Sequence, residues 1–229
     1  MKKYDVFLFD ADGTLFDFDK AEANALETMF AFRHFDYSEQ LRSKYREFNS
    51  QVWSQYEKGE ITKEELQTLR FKRLFAYAGI TCDEKTFNAQ YLYELGKGTF
   101  LIPDALDICE AIAAKGKRIY IVTNGILATQ QSRIKHSQIK DYISDFFVSE
   151  HIGFQKPHPS YFEYVFTSIK GIDKTKTLII GDSLSADIAG GNTAGLDSCW
   201  LNLARQKNNT DIIPTYEIFA LSELHDFVD

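Results

Sequence analysis

Three things are scarce in this 229-residue chain: cysteine, long apolar runs and an excess of positive charge. The three cysteines, Cys82, Cys109 and Cys199, are odd in number and form no C-x-x-C pair, so they read as reduced thiols of a cytosolic protein rather than a disulfide framework. No apolar stretch approaches the length of a membrane span. Met1-Lys2-Lys3 has the charge of a secretory leader, but the run behind it, Val6 to Phe9, is closed by Asp10 after four residues, too few for a signal core. The expected compartment is therefore the cytoplasm. With 26 basic against 33 acidic residues, a net charge of −7 and no basic block, a nucleic-acid polymer or an anionic membrane is excluded as the expected partner. A small phosphorylated molecule is not excluded, because one site can be electropositive around a bound cation. Internal repeats and low-complexity tracts are absent too.

What is present is a composition 44% hydrophobic and 26% charged, enough to bury a core without disulfides or structural metal, at a length that suits one or two domains. Tyr4 to Phe9 is a continuous apolar run that suits a strand buried on both faces of a parallel sheet. Arg118 to Val122, Phe146 to Val148, Thr177 to Ile180 and Ser198 to Leu201 look alike, and each precedes small or polar residues and then a helical pattern. Strands alternating with helices predict a doubly wound α/β core. Residues 16–98 instead show helical periodicity and no strand runs, with stripes at Leu26, Met29, Phe30, Arg33 and at Leu41, Tyr45, Phe48, Val52. Four helices are expected there, at about 19–34, 38–57, 62–78 and 83–97. Asp19 with Glu22 and Thr62 with Glu65 have capping-box spacing. The expected organisation is a core of residues 1–15 and 99–229 with a four-helix cap, 16–98, inserted after the first strand. Arg205 to Pro214 reads as a polar surface loop.

Four segments carry chemistry. Asp10-Ala11-Asp12-Gly13-Thr14-Leu15 puts two carboxylates at the C-terminal end of a buried strand, where α/β sheets place ligands. A bare D-x-D means little in an acidic loop; the strand before it and Gly-Thr-Leu after it add weight. Thr123-Asn124-Gly125 closes the second strand, and the hydroxyl and N–H groups of such a turn can hold a phosphate, although Asn-Gly is also ordinary turn chemistry. Lys156-Pro157 follows Gly153-Phe154-Gln155; a lone lysine is normally a solvated charge, but a proline after it fixes the local backbone. Gly181-Asp182-Ser183-Leu184-Ser185-Ala186-Asp187 follows Thr177 to Ile180. Asp187 alone reads as a favourable charge in a first helical turn, whereas Asp182 stands at the strand end itself. Two acidic clusters on neighbouring strand ends repel unless a cation lies between them, and Mg²⁺, taking carboxylate and phosphate oxygens, suits that set.

Together and in this order, the four segments resemble the motifs of the haloacid dehalogenase (HAD) superfamily, and the helical insertion resembles its class-one cap. The resemblance implies that Asp10 is a nucleophile forming an aspartyl phosphate and that Asp12 is the acid and base. It implies further that Thr123, Asn124 and Lys156 hold phosphoryl oxygens. Asp10, Asp182 and the backbone carbonyl of Asp12 would bind Mg²⁺, with Asp187 supporting the metal. Dehalogenases of the superfamily lack a second Asp at the position of Asp12, since a halide leaves without a proton, so Asp12 favours phosphoryl chemistry.

A closer resemblance joins Phe9 to Asp12, Val52-Trp53, Tyr56 to Thr62, Gly190 to Leu196 and Cys199 to Asn202 to the bacterial pyrimidine 5′-nucleotidases. It implies a phosphatase for dUMP, dTMP or UMP, with a small phosphomonoester as partner. The alternatives are a phosphosugar phosphatase or a phosphomutase of the same superfamily and, from another class, a non-catalytic phosphometabolite-binding protein. The joint presence of Asp10, Asp12, Thr123, Lys156 and Asp182 speaks against the last. Residues 16–98 hold 16 of the 33 aromatics; most read as cap core, while Phe16, Phe18, Trp53 and Tyr56 are candidates to stack on a base. The chain crosses into the cap near Thr14 to Phe18 and back near Gly96 to Phe100, where Gly96 and Gly98 are expected either to hinge a closing cap or only to end a helix.

Overall fold

The first apolar run forms β1 (Val6–Phe9), fully buried at the centre of a sheet, as a strand must be whose residues are apolar on both faces. A computed structural model describes residues 2–228 of the chain. Around β1 stand β2 (Arg118–Thr123), β3 (Ile143–Val148), β4 (Thr177–Gly181), β5 (Asp197–Leu201) and β6 (Tyr216–Ile218), in the order β3-β2-β1-β4-β5-β6 with every neighbouring pair parallel. Parallel neighbours need crossovers, which are largely helical: α5 (Ala105–Ala114), α6 (Leu127–His136), the short α7 (Ser149–Ile152), α8 (Pro159–Ser168) and α9 (Ala189–Ala194), with α10 (His225–Val228) closing the chain. Strand alternation then builds two cores. Phe7, Phe9, Ile119, Ile121, Leu178 and Ile180 pack with Ile108 and Ile112 of α5 on one face. Val6, Leu8, Tyr120, Val122 and Ile179 pack with Tyr161, Phe162 and Val165 of α8 on the other. Each such side chain contributes about 1.5–3 kcal/mol by leaving water.

This α/β unit runs to Phe18 and resumes at Thr99; a second, helical unit spans Asp19–Gly98. Phe16 stays with the α/β unit, fully buried, its backbone bridged to Asp12 and Leu101. It is therefore a core residue and not a ring available to a substrate, because it lies against Arg133, 4.7 Å from ring centroid to guanidinium. The helical unit is built from α1 (Phe18–Phe32), α2 (Glu39–Glu57), α3 (Lys63–Ala78) and α4 (Glu84–Leu95). Its core holds Phe30, Tyr45, Phe71, Phe75, Phe87 and Tyr91, with Phe71 centred 4.9 Å from Phe87 and 5.2 Å from Tyr45. Trp53 and Tyr56 meet edge to face at 6.0 Å and are half-buried.

The Thr62–Glu65 capping box is present at α3, whereas Asp19 and Glu22 form none. The helix already begins at Phe18, and Glu22 turns inward, 2% exposed, to accept from Asn49 at 3.3 Å. Gly96 ends α4 with ordinary right-handed angles, and Gly98 is needed for space, since a Cβ there would lie 2.6 Å from that of Ala21. Two sheet features exceed the sequence expectation. β3 begins at Ile143 because its exposed Ser144 and Asp145 belong to an edge strand, and β6, only three residues long, is too short to show a period. Cys109 and Cys199 are buried free thiols and Cys82 is half-buried and free. Among the described residues no helix is long and apolar enough to cross a membrane.

Candidate active site

Strand register brings the motifs together. Phe9 pairs with Ile121 of β2 and with Ile180 of β4. Asp10, one residue past β1, thus stands level with the ends of both neighbours, and its N–H donates to Ile180 O at 2.8 Å. Thr123 closes β2 and Asp182 follows β4, so Asp10, Thr123 and Asp182 lie at the C-terminal edge of one parallel sheet.

Lys156 is the hub. Its side chain is buried, and Nζ donates to Asp10 Oδ1 at 2.6 Å, Asp187 Oδ1 at 2.6 Å and Val122 O at 2.7 Å, which engages all three ammonium protons. Burial works against its charge, but Asp10 and then Asp187 outweigh it and hold the ammonium above its ordinary range. Asn124 places this lysine: its Nδ2 donates to Lys156 O at 2.9 Å and its Oδ1 accepts from Lys156 N at 2.8 Å. Both polar ends of the Asn124 side chain thus engage the backbone of Lys156. Lys156-Pro157 is a cis peptide. Thr123 is buried, and its Oγ1 accepts from Gly125 N at 3.1 Å.

The acidic groups crowd around this hub. Oxygens of Asp10, Asp182 and Asp187 all lie within 4.8 Å of one another. Burial raises Asp10 well above the usual carboxylate range; Lys156 opposes this, and Asp187 and Asp182 add to it. Asp182 is exposed as a residue, yet burial of its carboxyl behind the first loop, followed by the charge of Asp187, pushes it up to about 7 against the opposing Lys156. Gly13, at φ +79°, lets the first loop pass this carboxylate, since a Cβ there would sit 2.5 Å from Asp182 Oδ2. Trp200 Nε1 donates to Asp182 O at 2.9 Å. Asp187 is buried, with its Oδ2 accepting from Ser183 N at 3.1 Å. Three carboxylates against one ammonium leave a surplus of negative charge on hard oxygen donors, a set that fits a magnesium ion.

Asp12 points elsewhere. Its carboxylate pairs with Arg133 and accepts from Gln130 Nε2 at 2.6 Å. Gln130, Arg133 and Trp200 were not anticipated from sequence. The first two stand three apart on the buried face of α6, which opens just after the Thr-Asn-Gly turn, and no pattern in the sequence singles them out.

Comparison with known proteins places the chain in one family. The family model for haloacid dehalogenase-like hydrolases matches residues 4–195. The chain is 41% identical to the HAD-hydrolase YfnB of Bacillus subtilis over 98% of this chain and 95% of that one. It is 36% identical to the pyrimidine 5′-nucleotidase PynA of Streptococcus pneumoniae, over 99% and 95%. Against the pyrimidine 5′-nucleotidase YjjG of Escherichia coli it is 32% identical, over 97% and 96%. The crystal structure of magnesium-bound YfnB superposes with a TM-score of 0.93 over the whole of both chains at 40% identity. An L-2-haloacid dehalogenase from Xanthobacter autotrophicus, 19% identical over 98% of each chain, shares the fold at a TM-score of 0.74.

Proposed function

Since this chain belongs to the haloacid dehalogenase-like hydrolase family, we propose that it is a magnesium-dependent phosphomonoesterase using Asp10 as nucleophile, with pyrimidine nucleoside 5′-monophosphates as substrates. The observation that carries this reading is the pairing of Asp10 with buried Lys156 inside the Asp10–Asp182–Asp187 cluster, with Asp12 two residues on. The nucleotide preference rests on the near full-length similarity to two pyrimidine 5′-nucleotidases.

In this reading a carboxylate oxygen of Asp10 attacks phosphorus, forming an O–P bond as the P–O bond to the nucleoside breaks. The departing oxygen takes its proton from Asp12. Asp12, now a carboxylate, accepts a proton from the water that attacks the phosphorus of the aspartyl phosphate, which releases phosphate and restores Asp10. Thr123 and the turn at Asn124 hold phosphoryl oxygens, and the Asn124 side chain also braces the backbone of Lys156. Lys156 keeps Asp10 aimed and offsets the negative charge around it. Asp10, Asp182 and the carbonyl of Asp12 are the groups that would hold magnesium, with Asp187 behind them. When bound, the ion supplies positive charge that offsets the repulsion between carboxylate and phosphate.

Phosphate release tests this reading. Turnover of p-nitrophenyl phosphate is expected with Mg²⁺ and not in excess chelator, and dUMP, dTMP and UMP are expected to exceed sugar phosphates in kcat/KM. Turnover independent of metal, or a sugar phosphate as the best substrate, contradicts it.

A further inference from the structure

We propose that Gln130 and Arg133 are positioning residues for Asp12, gripping one carboxylate oxygen each and thereby aiming the proton that Asp12 delivers to the departing oxygen. The proposal rests on the reading of Asp12 as general acid.

Gln130 Nε2 donates to Asp12 Oδ2 at 2.6 Å, and Arg133 Nη1 pairs with Oδ1. Two donors on two oxygens fix the plane of a carboxylate, which one ion pair alone does not. Exposure is asymmetric across this contact. Gln130 is 2% exposed and the Arg133 side chain 0%, while the Asp12 side chain is 27% exposed. The donors are held in the interior of the fold and the acceptor faces the open side, the arrangement expected of a support behind a reactive group.

Two further contacts hold the support in place. Arg133 lies over the ring of Phe16, and Phe16 is bound back to the Asp12 loop, its O accepting from Gly13 N at 2.9 Å and its N donating to Ala11 O at 2.8 Å. Gly125 gives Gln130 its path: a Cβ there would lie 2.3 Å from Gln130 Nε2 and 2.9 Å from its Cγ. The glycine of the Thr-Asn-Gly turn thus admits the amide that reaches Asp12. The competing explanation is a buried ion pair that merely fastens α6 to the first loop; such a fastener would act on all substrates alike.

The leaving group separates the two. Nitrophenolate departs without a proton, whereas the alkoxide of dTMP needs one, and kcat/KM reports the first phosphoryl transfer. The experiment measures kcat/KM on both substrates for wild type, Asp12→Asn, Gln130→Leu, Arg133→Lys and Gln130→Leu combined with Asp12→Asn. Expected is a loss on the order of 10- to 100-fold on dTMP for Gln130→Leu and Arg133→Lys, with p-nitrophenyl phosphate within about threefold. Gln130→Leu should then cost nothing further once Asp12 is Asn. If Arg133→Lys does not fold, Gln130→Leu and the double variant decide alone. Equal losses on both substrates for Gln130→Leu, or a full additional loss in the Asp12→Asn background, overturn the proposal while leaving the acid role intact. Equal losses on both substrates for Asp12→Asn itself overturn the acid role and the proposal with it.

Discussion

At Asp10 two demands oppose each other. Burial raises the affinity of a carboxylate for a proton, whereas attack on phosphorus needs the ionised form. Lys156, at 2.6 Å, favours the ion, and the crowd of Asp182 and Asp187 limits how far it succeeds without a cation. Asp182 combines an exposed residue with a carboxyl pushed up to about 7 by burial and by the charge of Asp187, so a metal ion beside it would help to keep it charged. Asp182→Asn is accordingly expected to raise the Mg²⁺ concentration for half-maximal activity on the order of tenfold or more with the fold retained. Titrating activity against Mg²⁺, with far-ultraviolet circular dichroism as the control for folding, checks this; an unchanged metal requirement would remove Asp182 from the metal site. The residues that meet at the sheet edge were legible because each stands just after an apolar run: Asp10 after Phe9, Thr123 after Val122, Asp182 after Gly181. Gln130 and Arg133 were not, because nothing in a ten-residue amphipathic helix marks which polar side chains turn inward until the helix is docked.

At the scale of elements, the helical unit carries a polar chain through its interior. Arg70 donates to Asn49 Oδ1 at 3.1 Å and to Asn88 Oδ1 at 2.7 Å, and Asn49 donates to Glu22, tying α1, α2, α3 and α4 together. Burial is the largest influence on Glu22, ahead of the opposing Arg46, the like charge of Asp19 and the opposing Arg70, and the net result is about 7 against an ordinary 4.5. The folded state therefore binds this proton more tightly than the unfolded chain. The contribution of Glu22 to stability is fully present below pH 4.5 and is lost as pH rises through about 7, a change of ~3 kcal/mol at about 1.4 kcal/mol per unit. Glu22→Gln should flatten this part of the profile, so that wild type loses stability relative to the variant between pH 5 and pH 8 in urea melts. Parallel profiles for the two proteins would show that Glu22 is charged throughout. Sequence periodicity predicts α1 to α4, but the Asp19–Glu22 spacing also fits a capping box, because capping spacing and an inward polar chain look identical in one dimension. β6 is not legible in the sequence for a different reason: an edge strand of three residues with an exposed Glu217 carries no alternation.

At the scale of the whole molecule, the similarity to YfnB, PynA and YjjG runs through both units, each relative matching 97–99% of this chain. Five of the six strands of the parallel sheet were legible from apolar runs, and the helical unit from a change of period, because burial on two faces and on one face leave different patterns. What ties sheet, loops and chemistry together is the proposal that phosphate passes through Asp10. The most direct test is acid quenching during turnover of dTMP, followed by mass spectrometry of the peptide that contains Asp10. A wild-type peptide heavier by one HPO₃ group on Asp10, formed only with Mg²⁺ and absent in Asp10→Asn, is the predicted result. Phosphate release at the wild-type rate by Asp10→Asn, or a phosphoryl group found on another residue, would contradict the account.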